Sequence, residues 1–136
     1  MKYNLFSLFL FIVFAMACNK KKLPDSCEGV MCTANFAMIS VNIVDSVGNP
    51  FFPQKVETVN MQNDVVFVDT NASIPFQNMY NVLTDSEKDI LGINIENTFF
   101  YHVYQNNNIV ATYTFIIKAD CCHIIKVKGN NTVVVK

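Results

Sequence analysis

The chain has 136 residues, a formal net charge of −1 and a hydrophobic fraction of 51%. This length is enough for one domain with its own core but not for two. Arginine is absent, and the lysines are not gathered on any readable face. Binding to a phosphate backbone needs clustered cations, so we expect no nucleic-acid partner.

Residues 1–17 have the three-part pattern of a secretory signal. Lys2 gives a charged start, an apolar run extends from Leu5 to Phe14, and small residues follow at Ala15 and Ala17. A run of about ten apolar residues is shorter than the roughly 20 that a membrane-spanning helix needs. The pattern therefore predicts a signal helix that is removed, rather than a retained membrane span.

Cys18 follows directly after this segment. The sequence Ala15-Met16-Ala17-Cys18 resembles a bacterial lipobox, and this resemblance implies cleavage before Cys18 and attachment of lipid to its thiol. The alternative is an ordinary signal-peptidase site that cuts the same bond and leaves a free thiol. Residues 18–31 include Lys20-Lys21-Lys22 and Pro24 and lack apolar periodicity, so they predict a tether between the anchor and the domain.

Residues 32–136 are predicted to form one all-β domain. Short runs of β-branched and aromatic residues alternate with turn residues, and no segment keeps a helical period. In the first run Ala37, Ile39, Val41 and Ile43 alternate with polar residues, as in a strand with one buried face. Outside the hairpin described next, the predicted strands are 37–43, 55–61, 64–69, 79–83, 124–128 and 132–135.

Between these strands, two stretches are predicted to be something other than β-structure. Ser73-Ile74-Pro75 breaks the strand pattern. Thr84 to Asp89 can form one helical turn, with Thr84 or Asp85 as its cap and acidic residues in the first turn.

The clearest supersecondary prediction is a hairpin from Ile93 to Lys118 that closes around Asn107. This register pairs Phe99 with Phe115, Tyr101 with Tyr113 and Val103 with Ala111 on one face, and Phe100 with Thr114 and His102 with Thr112 on the other. Ile93, Ile95, Ile117 and Ala119 extend the first face, which is therefore predicted to be the core side. In total about seven or eight strands are expected, which favours a two-sheet sandwich.

The second face of this hairpin is unusually apolar for a side that faces water. It carries Phe100, His102, Tyr104, Val110 and Ile116. Either another element covers this face, or it is an exposed patch of the kind that binds partners. We take Phe100, His102 and Tyr104 as the candidate contact residues.

With Cys18 assigned to lipid, an even number of cysteines remains in an oxidising compartment: Cys27, Cys32, Cys121 and Cys122. Two disulfides are expected, and each links one of the late cysteines, Cys121 and Cys122, to one of the early cysteines, Cys27 and Cys32. Alternation along its strand places the side chain of Cys121 on the core side, which favours pairing Cys32 with Cys121 and Cys27 with Cys122. There are two alternatives: a reducible Cys121–Cys122 bond, or a metal site of Cys121, Cys122 and His123 with a fourth ligand from Cys27 or Cys32. Either alternative predicts a thiol-redox or metal-handling envelope protein.

No other group of residues indicates catalysis or a cofactor. His102 has no recognisable nucleophile motif near it and is interpreted as a packed strand histidine. Asp85, Glu87 and Asp89 alternate but lack the glycine and terminal glutamate of a calcium loop, so a solvated turn is expected there. We therefore predict no enzyme activity, no metal and no cofactor.

The stretch Val44-Asp45-Ser46-Val47-Gly48-Asn49-Pro50 looks like the opening of immunoglobulin-like and carboxypeptidase-regulatory (transthyretin-like) domains. Together with the signal and the early cysteines, Ala119-Asp120-Cys121-Cys122-His123-Ile124 resembles small lipoproteins of Bacteroidetes-type bacteria. The resemblance implies a non-enzymatic cell-envelope lipoprotein that serves as a binding or structural module for a protein or glycan partner. Lys20-Lys21-Lys22 differs from the acidic run that resembles a surface-export signal in such bacteria, which favours the periplasmic side of the outer membrane.

Overall fold

The computed structural model describes residues 27–70 and 78–136. The predicted signal segment, Cys18, most of the tether and the break at Ser73-Ile74-Pro75 lie outside the described residues. The described chain is an all-β sandwich, as predicted, and its elements follow one another in this order: β1 (Met38–Val44), β2 (Lys55–Asn60), β3 (Val65–Asp69), β4 (Met79–Thr84), a 3₁₀ helix (Asp85–Ile90), β5 (Asn97–Gln105), β6 (Asn108–Ala119), β7 (Ile124–Lys128) and β8 (Thr132–Val134).

The strands form two sheets. The smaller sheet has the order β4-β1-β8, in which β1 pairs antiparallel with β4 and parallel with β8. The larger sheet has the order β3-β2-β5-β6-β7 and is antiparallel throughout. One face of each sheet packs into a shared core, and the opposite side of the five-stranded sheet is called the outer face below.

Alternating side chains build the core, because successive residues of a strand point to opposite faces. In β1, Ile39, Val41 and Ile43 are buried, as the alternation predicts. From the other sheet, Phe99, Tyr101 and Val103 of β5 meet them, and the Tyr101 and Phe115 rings stand edge to face with centroids 5.9 Å apart. Gly129, at φ 138°, lies against the Phe115 ring, where a β-carbon would collide with it.

The predicted hairpin register is confirmed for all five residue pairs. The turn itself differs from the prediction, because it is not centred on Asn107. Asn106 and Asn107 both have positive φ and form a two-residue turn, and Val110 is then the extra residue of a β-bulge. The bulge restores the pairing of Val103 with Ala111 further along the strand.

The predicted extension of β5 back to Ile93 and Ile95 is wrong. Positive φ values at Gly92 and Asn94 turn the chain before the strand, which begins only at Asn97. Ile93 instead forms a parallel bridge with Ala119, and Ile95 is exposed. Local apolar spacing therefore overstated the length of the strand.

Candidate functional site

Two regions combine reactive, polar or aromatic side chains. The first is the outer face around β5. The second, called the stapled end below, comprises residues 27–36, the 3₁₀ helix and the turn Asp120–His123. The hairpin turn at Asn106 and Asn107 marks the opposite end of the sandwich, called the hairpin end.

Both disulfides lie at the stapled end. Cys121 is bonded to Cys27 and Cys122 to Cys32, with Cα atoms 5.3 and 5.2 Å apart. The expected linkage between the early and late cysteines is confirmed, but the pairing favoured from alternation is wrong. The reason is that β6 ends at Ala119, so Cys121 and Cys122 occupy a turn in which strand alternation does not apply.

The alternative bond between Cys121 and Cys122 is not formed, since each sulfur is bonded to an N-terminal cysteine. Among the described residues, no group of three His, Cys, Asp or Glu side chains is placed to hold a metal ion. Within the same ranges, no helix is long and apolar enough to cross a membrane.

Asp85 is the central polar residue of the stapled end. Its carboxylate accepts hydrogen bonds at 2.8 Å from the N–H groups of Ala37 and Ile124, and its Oδ2 lies 2.8 Å from Nδ1 of His123. Burial raises the pKa of Asp85, but the bonds from Ala37 and His123 outweigh it and hold the pKa below its ordinary value of 3.8. The carboxylate is therefore ionised at neutral pH and joins three separate segments of the chain.

The sequence interpretation of Asp85 as part of a solvated turn is wrong. The predicted helical turn forms, and Thr84 caps it: its hydroxyl accepts from the N–H of Ser86, and Glu87 completes the capping box. Asp85 points away from this turn and is half-buried. Its partners lie 38 to 48 residues away in sequence, so no local pattern could have identified them.

His123 links Asp85 to the N-terminal segment. Its Nε2 lies 3.2 Å from the hydroxyl of Thr33, next to the Cys32 disulfide. Its own N–H and that of Cys122 donate to Oδ1 of Asp120 at 2.7 Å, and these bonds lower the pKa of Asp120. The hydroxyl of Thr33, the imidazole of His123 and the carboxylate of Asp85 stand in the order of a hydrolase relay, and each comes from a different segment of the chain.

On the outer face, the predicted contact residues Phe100, His102 and Tyr104 come together along β5. All three are half-buried, whereas the alternating residues Phe99, Tyr101 and Val103 are buried in the core. The sheet register sets Phe100 beside Val59, His102 beside Glu57, and Tyr104 beside Lys55. The face is thus apolar at the stapled end and charged toward the hairpin end.

The charged part of this face is held in one arrangement by its own contacts. Nζ of Lys55 lies 2.6 Å from Oε1 of Glu57 and 4.1 Å from the centre of the Tyr104 ring. A hydrogen bond between Tyr104 and Glu57 raises the pKa of the phenol to about 12, and Nδ1 of His102 is 2.9 Å from the hydroxyl of Thr112. The resulting cluster presents an aromatic ring, an ammonium group and an imidazole without further rearrangement.

A cavity of about 420 Å³ adjoins this cluster, and its lining residues are Gln54, Lys55, Thr70, Tyr104 and Asn107. The side-chain carbonyl of Gln54 accepts from the N–H of Asn107 at 3.1 Å and so fixes the hairpin turn against β2. Sequence reasoning missed Gln54 and Lys55, because their approach to Tyr104 depends on pairing between strands far apart in the chain.

Comparison with protein-family models, with curated proteins and with solved structures found no match to this chain. Function is therefore inferred from the geometry of these two regions and from the sequence of the N-terminal segment.

Proposed function

We propose that the protein is a non-enzymatic, lipid-anchored cell-envelope protein whose disulfide-stabilised β-sandwich binds a protein or glycan partner through its outer face. One observation carries the binding role: Phe100, His102 and Tyr104 are only half-buried, and no third layer covers them in the part of the chain that the structure describes. Large apolar and aromatic groups left at a surface beside ordered polar groups are typical of recognition sites.

The proposed location has separate support. The lipobox-like sequence that ends at Cys18 favours an anchor at the outer membrane, on its periplasmic side. Two disulfides within the described residues suit an exported protein, because the cytoplasm keeps thiols reduced. Acylation with more than one chain would make the anchor lasting, since a single chain binds only marginally.

Intact mass of the protein purified from its native envelope tests the anchor and the disulfides. We expect a start at Cys18 with added acyl mass, and no alkylation of thiols before reduction. An unmodified Cys18 would contradict the anchor. Alkylation of Cys121 and Cys122 without prior reduction would instead favour the alternative thiol-redox function.

Photo-crosslinking in the intact envelope tests the binding face. A photoreactive residue replaces Thr114, which is exposed and pairs with Phe100 on the outer face. The matched control replaces Asn42, which is exposed on β1 of the other sheet. We expect a discrete adduct from position 114 that is lost with His102→Ala, and none from position 42; equal labelling at both positions would contradict the proposal.

A further inference from the structure

The walls of the cavity beside Tyr104 are held in place by the fold itself. The backbone N–H of Gln54 donates to the carbonyl oxygen of Tyr104 at 2.9 Å and to Oε1 of Gln105 at 3.1 Å. The side-chain carbonyl of Gln54 accepts from the N–H of Asn107 at 3.1 Å, which joins β2 to the hairpin turn. A ligand would meet walls that are already ordered, so its binding would cost little conformational entropy in the protein.

The cavity also presents hydrogen-bonding groups that the fold does not use. Within the described ranges, no hydrogen bond engages the side-chain NH₂ of Gln54, the hydroxyl of Thr70 or the side-chain amide of Asn107. All three residues are exposed. Amide and hydroxyl groups both donate and accept, so the groups that match them on a ligand are again hydroxyls and amides.

The charge at this cavity is balanced within the protein. Lys55 is the one cation among the described lining residues, and its Nζ lies 2.6 Å from Oε1 of Glu57. An anionic ligand would therefore meet a carboxylate beside the ammonium group, and like charges placed together disfavour a partner. The balance favours a ligand without charge.

The size and the chemistry of the cavity together indicate the class of ligand. Its volume of about 420 Å³ lies within the range of about 300–1,000 Å³ that is usual for small-ligand sites. Sites for apolar ligands are lined mainly by apolar side chains. Here Tyr104 supplies the one aromatic ring among the described lining residues, and the others are polar. A neutral sugar suits such walls, because its hydroxyls pair with amides and its C–H groups pack on an aromatic ring.

We propose that this cavity binds a neutral sugar unit of a glycan through the polar side chains of Gln54, Thr70 and Asn107 and the ring of Tyr104. The inference rests on the proposed function, because it selects a glycan, rather than a protein, as the partner of the outer face. The ring of His102 lies next along β5, with its centroid 6.5 Å from that of Tyr104. Further sugar units of the same glycan would extend from the cavity along this row.

Two disaccharides test this inference on the full chain with both disulfides formed. The probe is N,N′-diacetylchitobiose, which is neutral and carries hydroxyl and amide groups. In the comparison disaccharide a glucuronic acid replaces one of the two sugars and adds a carboxylate. We expect saturable binding of the neutral disaccharide and no tighter binding of the acidic one. In Glu57→Gln the acidic disaccharide should bind about threefold more tightly than the neutral one, because Lys55 has then lost its carboxylate partner.

NMR shifts and two matched variants locate the bound disaccharide. We expect the side-chain NH₂ signals of Gln54 and Asn107 to move on titration, and Thr70→Val to weaken binding about fivefold through the loss of one hydrogen bond. Thr114→Val removes a hydroxyl from an exposed threonine on the outer face, beside Phe100, and should leave binding unchanged. A dispersed spectrum of each variant shows that it is folded. Absence of saturable binding, tighter binding of the acidic disaccharide to the wild type, or equal effects of the two threonine variants would overturn the proposal.

The failure of this inference can be told apart from failure of the proposed function. A specific protein adduct from position 114 without disaccharide binding would reject the sugar site and keep the binding face. Disaccharide binding in the cavity without any crosslink from position 114 would keep the sugar site and reject the rest of the outer face as part of the contact. Loss of both signals would reject the two proposals together.

Discussion

The two aspartates that organise turns at opposite ends of the sandwich, Asp45 and Asp85, accept hydrogen bonds of different range. At the hairpin end, Asp45 accepts at 2.9 Å from Val47 and at 2.8 Å from Asn49, two and four residues further along the chain. At the stapled end, Asp85 accepts from Ala37 and Ile124, which are 48 and 39 residues away. The disulfides there span 94 and 90 residues.

This difference predicts how substitutions at each end change the stability of the protein. A turn held by neighbours can form before the rest of the molecule folds and can be lost without consequence elsewhere. The stapled end exists only when the N-terminal segment, the 3₁₀ helix and the β6–β7 turn have met. Removing one of its links should therefore weaken the whole sandwich, and the following changes test that contrast.

Removal of the disulfides should have the largest effect. We expect reduction of both bonds to lower the free energy of unfolding by about 2–5 kcal/mol, because it opens the long loop in the unfolded chain. Cys27→Ala with Cys121→Ala, or Cys32→Ala with Cys122→Ala, should cost about 2 kcal/mol each, because the remaining disulfide still closes the long loop. Urea unfolding of oxidised protein measures the loss. The reduced wild type serves as the control and should be at least as unstable as either double variant. A decrease below about 1 kcal/mol in the free energy of unfolding of the reduced protein would mean that the disulfides contribute little to stability.

Replacement of the two turn carboxylates separates long-range from local bonding. We expect Asp85→Ala to cost about 2–4 kcal/mol, because it leaves two partly buried backbone N–H groups and His123 without their acceptor. Asp45→Ala, the matched change at the exposed hairpin end, should cost less. Urea unfolding compares the two variants, and equal losses would mean that the range of a bond does not matter here.

The same distinction separates what the sequence could and could not predict. The hairpin register was predictable because strand alternation and the tolerance of Asn106 and Asn107 for positive φ are local properties. The cysteine pairing was not, since it depends on where β6 ends and on how the N-terminal segment approaches the turn. Alternation applies within a strand and carries no information about the residue after its end.

The candidate site follows this pattern as well. Phe100, His102 and Tyr104 could be placed together on one face from their spacing alone. Lys55 and Glu57 could not be added to them, because the pairing of β2 with β5 joins parts of the chain more than 40 residues apart. Strand spacing shows which residues share a face of one hairpin, whereas neighbours from other strands require the tertiary structure.

Acid should weaken the stapled end. The folded protein holds the pKa values of Asp85 and Asp120 below their ordinary value of 3.8, so the unfolded chain binds more protons as the pH falls. Their stabilising contribution is therefore complete above about pH 5 and is lost as the pH falls through 4 toward the folded-state pKa values. The loss should be smaller than that of Asp85→Ala, because a protonated carboxyl still has an acceptor oxygen.

Urea midpoints between pH 7 and pH 3 measure this dependence in the wild type and in Asp85→Asn. The asparagine variant should show a shallower decline between pH 5 and pH 3. Part of the decline should remain, because hydrogen bonds from Asn49 also lower the pKa of Asp45 at the hairpin end. An unchanged slope in Asp85→Asn would contradict the role of this carboxylate in the acid response.

The smallest expected effect is a gain at the hairpin end. Asn107 has φ 61° and follows Asn106 at φ 51°, so the turn requires a left-handed backbone at both positions. Asn107→Gly should raise the free energy of unfolding by about 0.3–1 kcal/mol, because asparagine followed by glycine is the preferred pair for this turn. Asn107→Ala should lower it by about 1 kcal/mol, because alanine pays the full steric cost of positive φ. Hydrogen exchange at the stapled end should be altered by neither variant beyond the change in global stability, since the bond from Asn107 to Gln54 stays within the hairpin end; a specific loss of protection around Asp85 would mean that the two ends are coupled.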